Sequence, residues 1–225
     1  MTSTIAWVKS MSDIATLLTM AKASAAAYDT DPTKFYAAMS AIDMTVIQAI
    51  TSPECQMFSV SWKGKPGLVI RGTQVVSHLS LPEIFDDLDT TAMRAGFGFV
   101  MRGAFAPLEK LIPQVQTKPS FITGHSLGGQ RAHLASFFFP LAQVFSFGAP
   151  KAGDSRFWAA NTVPTRVVRE HDFAPCWPFE RFEQPHDPML WLHEGKLSST
   201  ISRPGLNLSV EDHDVDKYVA DLSTL

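Results

Sequence analysis

The sequence predicts an α/β domain built on a mostly parallel sheet with helices covering it. Three observations carry that expectation. Strand-like runs alternate with helical runs along most of the chain. A turn of small and polar residues, Gly124-His125-Ser126-Leu127-Gly128-Gly129, joins an apolar run to a helical one. Of the 225 residues, 45% are apolar, with no internal break in composition, which fits one domain over 1–225 with a sizeable core.

The elements follow in order. Two helices open the chain, over 13–28 and 32–42; the first starts at Ser12 or Asp13 and sets Ile14, Leu17, Leu18 and Ala21 on one face. Residues 56–62 alternate and are rich in strand formers, 63–67 turn, and 68–70 return, a hairpin that ends in Arg71-Gly72-Thr73. A looser segment covers 74–90, and the spacing then predicts a helix over 93–111. Residues 119–123 are a short buried strand and 127–138 a helix. Residues 142–148 are a strand, 152–160 a helix and 165–170 a strand. Residues 189–202 read as a hairpin about Glu194-Gly195, and 215–222 as a closing helix.

Bulk properties exclude several function classes. With 19 Lys and Arg against 22 Asp and Glu, interspersed, the net charge of −3 leaves no basic footprint for a nucleic acid and no polybasic membrane patch. Cys55 and Cys176 lack metal-ligand spacing and are too few for a disulfide framework, so two free, partly buried thiols are expected. The seven histidines show no paired spacing of a metal site. No apolar run reaches membrane-spanning length; the nearest approach, 134–145, is cut by Pro140. Lys9, Ser10, Ser12 and Asp13 interrupt the N-terminal apolar residues, so no export signal is evident. The expectation is a soluble protein, cytoplasmic or exported by another route.

The chemistry concentrates at Ser126. A strand, then Gly-X-Ser-X-Gly, then a helix, is the pattern of a nucleophile elbow. The strained turn lifts the Ser126 hydroxyl out of the sheet, and Gly124 and Gly128 flank it because a Cβ there collides with the neighbouring strand or helix. The Leu127 amide opens the helix, where unpaired N–H groups and the macrodipole favour an oxyanion. A serine of this kind needs a base and the base needs an orienting acid, in the chain order Ser, Asp or Glu, His. Asp172 sits just past the strand at 165–170, where a parallel sheet presents its functional groups. Of the later histidines, His193 lies inside a hairpin, His186 lies on a loop, and His213 lies on a loop before the last helix; His213 is favoured over His186. His171 should point away from Asp172, His125 should be structural, and His78 and His133 read as surface residues.

These motifs together resemble the class 3 lipase family. "VIRGT" at 69–73, "VMRGAF" at 100–105, "TGHSLGG" at 123–129, "FGAPKAGD" at 147–154, "VVREHDFAP" at 167–175 and "QPHDPMLWL" at 184–192 occur in the family's order, from about residue 67 to the C-terminus. Two residues depart from the pattern: Arg102 stands where a histidine is usual, and Arg169 where an asparagine is common. The resemblance implies an α/β-hydrolase fold and a serine hydrolase of carboxylic esters, without a cofactor or metal. It also implies a triad of Ser126, Asp172 and His213, with Thr73 as second oxyanion donor beside Leu127 through its amide, and with its hydroxyl as a further candidate donor. Residues 74–90 occupy the family's lid position, where Val75, Val76, Leu79, Leu81, Ile84 and Phe85 suit cover of the active site or transient contact with a lipid surface, or else ordinary core packing. Phe173, Trp177, Phe179 and Phe182 are candidates for an acyl pocket or its rim, and Phe137, Phe138 and Phe139 for core. The expected partner is an acyl ester or lipid substrate. Other specificities on the same triad (phospholipase A1, feruloyl-type esterase, acyltransferase) and a non-catalytic binding module remain open alternatives at this point.

Overall fold

The computed structural model describes residues 11–73, 88–96, 98–178, 182–185, 189–193, 196–200 and 208–225. Eight strands form one sheet in the order β1-β2-β3-β6-β7-β8-β9-β10. They are β1 (Met44–Thr51), β2 (Gln56–Trp62), β3 (Lys65–Ile70), β6 (Phe121–His125), β7 (Gln143–Phe147), β8 (Thr165–Arg169), β9 (Met189–His193) and β10 (Lys196–Thr200). The centre, β3-β6-β7-β8-β9, is parallel; the ends are closed by antiparallel partners. A separate hairpin pairs β4 (Ala92–Ala95) with β5 (Gly98–Met101).

Helices cover both faces, as a parallel sheet requires. On one face lie α1 (Met11–Ala26), α2 (Pro32–Ser40) and α6 (Val215–Ser223). On the other lie α3 (Arg102–Leu111), α4 (Leu127–Ala135) and α5 (Ser155–Ala159), with the β4–β5 hairpin. The strands divide their side chains between these two cores with the two-residue period of a pleat. Leu68, Ile70 and Ile122 pack on the α3–α4 side, while Val69 and Phe121 pack on the α1 side. Short polar caps set the helix starts: Asp31, Asp154 and Asp214 each accept a backbone N–H from the first turn.

Three expectations are corrected. The segment 93–111 is not one helix. Its first half is the β4–β5 hairpin, turned at Gly96, and only Arg102–Leu111 is helical. Tertiary pairing decides this: Val100 bridges to Gly153, and the Asp154 amide donates to the Phe99 carbonyl at 2.9 Å. The helix after Ser126 ends at Ala135 rather than 138, with turns over the phenylalanines. His133, expected at the surface, is fully buried on α4, where its Nε2 meets Ser146 Oγ at 2.7 Å. Burial lowers its imidazole pKa to about 3, so it is neutral.

Neither cysteine is in a disulfide; Cys55 is buried and Cys176 partly so. Among the described residues no helix is long and apolar enough to cross a membrane, and no group of three metal-ligating side chains gathers. The expected lid segment, apart from 88–90, lies outside the described residues, as do His78, Phe179 and His186.

Candidate active site

The site starts at the end of β6. Ser126 follows directly, at φ 57° and ψ −131°, and α4 begins at Leu127. A non-glycine residue at positive φ is strained, and here the strain is held by packing on both sides. The Ser126 amide donates to the Phe147 carbonyl of β7 at 3.0 Å. A Cβ on Gly128 would stand 2.2 Å from the Ile70 carbonyl and 2.8 Å from the Gly72 nitrogen. Only glycine therefore lets α4 lie directly against the end of β3. That contact brings Leu127 and Thr73 to one cleft. Thr73 Oγ1 is buried and has no hydrogen-bond partner among the described residues.

The predicted acid and base meet the serine. Ser126 Oγ lies 2.7 Å from His213 Nε2, and His213 Nδ1 lies 2.9 Å from each oxygen of Asp172. Asp172 stands just past β8, as a parallel sheet presents it, and all three side chains are buried. The Asp172 carboxylate also accepts from Tyr218 Oη at 2.5 Å and from the Ala174 amide at 2.9 Å. Burial, with the carboxylate beside it, pushes the Tyr218 phenol well above its ordinary pKa, so it stays a donor. Gly148, at φ 56°, makes room for the acid: a Cβ there would stand 2.4 Å from Asp172 Oδ2.

The loop that carries His213 is held from three directions. The Ser209 amide donates to the His171 carbonyl at 2.6 Å. Phe173 packs edge-on against the His213 ring at 5.4 Å. Arg169, at the end of β8, forks to Asp212 and Asp221 at 2.7 Å each. His125 lies on the other side, its ring 4.6 Å from that of His213 and its Nδ1 2.9 Å from the Tyr28 hydroxyl. Burial first, then His213, holds the His125 pKa well below the usual value, and it is neutral. Burial also raises the Tyr28 phenol.

The remaining candidates sort as follows. His171 is half-exposed beside Glu170, and His193, on β9, pairs with Glu170 as well. Trp177 and Phe182 belong to the core on the α3–α4 side, and Phe173 packs on the His213 ring. Phe138 and Phe139 pack against the same core. Sequence reasoning missed the clamp at Arg169 and the Tyr28–His125 pair. Their signal was weak, since an arginine at a strand end and a tyrosine at a helix end have many uses.

The family model for class 3 lipases matches residues 68–182. Among solved structures, Rhizomucor miehei triacylglyceride lipase is 18% identical over 91% of this chain and 94% of its own, at a TM-score of 0.74. Lipase II from Rhizopus niveus is 19% identical over 91% and 94%, at 0.71. A triacylglycerol lipase from Penicillium expansum is 18% identical over 89% and 88%, at 0.64. The shared sheet and its covering helices are those of the α/β-hydrolase fold.

Proposed function

This chain belongs to the class 3 lipase family, a family of carboxylic-ester hydrolases, and from that membership we propose that it hydrolyses lipid acyl esters, triacylglycerols or relatives of them, within a single domain. One observation carries the assignment of roles: a strained, buried serine hydrogen-bonded at 2.7 Å to a histidine that a buried aspartate holds from behind.

In this reading His213 Nε2 takes the Ser126 proton as Oγ attacks the ester carbonyl carbon. Asp172 keeps the proton on Nδ1 and stabilises the imidazolium that forms. The Leu127 amide, first in its helix and so without an intrahelical acceptor, faces the developing oxyanion. The Thr73 amide and its hydroxyl, unpartnered among the described residues, complete that pocket. Collapse of the tetrahedral intermediate returns the proton to the departing alcohol and leaves an acyl-Ser126. Water, deprotonated by His213, then releases the acid. None of these steps calls for a cofactor or metal. The segment 74–90 is the lid of this reading.

The test is turnover of a chain-length series of p-nitrophenyl esters and of a triglyceride emulsion, by wild type and by Ser126→Ala. Loss of several orders of magnitude in the variant is expected. Near-wild-type activity in Ser126→Ala would end this assignment.

A further inference from the structure

A cleft of about 750 Å³ opens beside the two oxyanion candidates, Thr73 and Leu127, and its character is not that of an acyl groove. Four cations line it, Arg71, Arg102, Lys110 and Arg131, against two acids, Glu54 and Asp89, among the described residues. The rim pairs are loose and exposed: Arg102 stands 3.9 Å from Asp89, and Lys110 4.0 Å from Glu54.

Arg131 is different. It sits on α4 and is only 3% exposed. Its Nε donates to the Ala104 carbonyl at 3.4 Å, and its side chain lines the cleft. No carboxylate among the described residues lies within ion-pair distance. The nearby Cys55 thiol is no counter-ion, because burial raises its pKa and keeps it neutral. Glu54, on the cleft rim, supports the Arg131 charge only from beyond ion-pair distance; a guanidinium withdrawn from water is costly, and its planar fork matches a phosphate or carboxylate. Leu127 and Arg131 are four residues apart, on one face of α4, about 6 Å along the axis. Both line the cleft, so one bound ester can meet the Leu127 amide and the Arg131 side chain together.

We propose that this cleft recognises an anionic group, phosphate or carboxylate, on the alcohol part of the ester substrate, with Arg131 as its deep partner and Arg102 and Lys110 at its rim. The proposal rests on the hydrolase reading above and narrows the substrate class from neutral to anionic acyl esters.

The experiment compares kcat/KM for a 1-monoacylglycerol and for its 3-phosphate, with the same acyl chain, in wild type and Arg131→Gln. Wild type should favour the phosphate ester by about tenfold or more, and Arg131→Gln should lose that preference. Equal turnover of the two esters by wild type, or a preference that survives in Arg131→Gln, overturns the anion site and leaves the hydrolase reading standing. If Arg131→Gln does not fold, Arg102→Gln and Lys110→Ala serve instead, each lowering the preference about threefold.

Absence of serine-dependent turnover on both esters would sink the hydrolase reading, and the site is then read without catalysis. In Ser126→Ala protein, inorganic phosphate and glycerol 3-phosphate should raise Tm saturably, glycerol 3-phosphate at lower concentration. No rise with either overturns the site. An equal response to both overturns the substrate assignment, since a free anion would then be the occupant.

Discussion

Arg169 grips Asp212, the residue immediately before His213, with Nη1 2.7 Å from Oδ1, while its Nε holds Asp221 of α6 at the same distance. The strand end that precedes Asp172 thus also fixes the loop that presents His213. The fork is mostly buried, so this is not a freely solvated surface pair.

Replacing that fork should loosen the His213 loop without touching substrate. Arg169→Met is expected to lower kcat about 10- to 100-fold, as small misplacements of a catalytic group do, with KM little changed. Arg169→Lys should recover only part of the loss, because an ammonium cannot hold both carboxylates bidentately. Steady-state kinetics on a soluble ester checks this; an unchanged kcat in Arg169→Met would remove the positioning role.

Thr73 separates two kinds of oxyanion contact. Its amide survives any substitution but proline, whereas its hydroxyl does not. Thr73→Val should therefore lose about 10²-fold in kcat, the cost of one oxyanion donor, and Thr73→Ser should stay close to wild type. Equal rates for the valine and serine variants would leave the amide as the sole contribution of this residue.

The buried His133 makes stability depend on acidity in a defined direction. Its folded pKa, about 3, lies below the ordinary imidazole value of 6.5. Between those values the unfolded chain binds a proton that the folded chain refuses. The stability difference is therefore intact above pH 6.5 and is lost progressively as pH falls toward 3, by at most about 1.4 kcal/mol per unit for this one proton. His133→Gln, which keeps a polar group for Ser146, should flatten the fall in urea midpoint between pH 7 and 4 relative to wild type. Parallel pH profiles for the two proteins would contradict the linkage.

Gly148 is the position where a single methyl should do most harm to the acid. It combines φ 56° with a Cβ site 2.4 Å from Asp172 Oδ2 and 3.1 Å from His213 Nδ1. Gly148→Ala should lower stability by about 1–3 kcal/mol and reduce kcat at least tenfold by displacing the Asp172–His213 contact. Chemical denaturation and turnover, measured on the same preparation, check the pair of effects.

What the amino-acid sequence determined by itself was local. The elbow was legible because its demands are written within six residues: glycine where α4 meets the end of β3, serine at the tip, an apolar strand before and a helix after. Asp172 and His213 were legible as types at their places in the chain order, and the structure brings both to Ser126. The α/β class followed from alternation. The rest needed the tertiary structure, because the deciding contacts lie far apart in the chain. Residues 93–101 carry a helix-compatible pattern, yet Ala92–Ala95 and Gly98–Met101 pair as a hairpin on whose second strand Gly153 and Asp154, over fifty residues on, dock. The edge strand β1, left unassigned by its pattern, carries a register shift between Val46 and Gln48 that breaks its alternation and leaves Ile47 exposed. His133 gave no sign of burial, since a histidine on a helix names no face until Ser146 of β7 stands against it. Arg169 and Arg131 are alike as letters. Only packing makes one a clamp on two carboxylates and leaves the other a buried guanidinium facing a cleft.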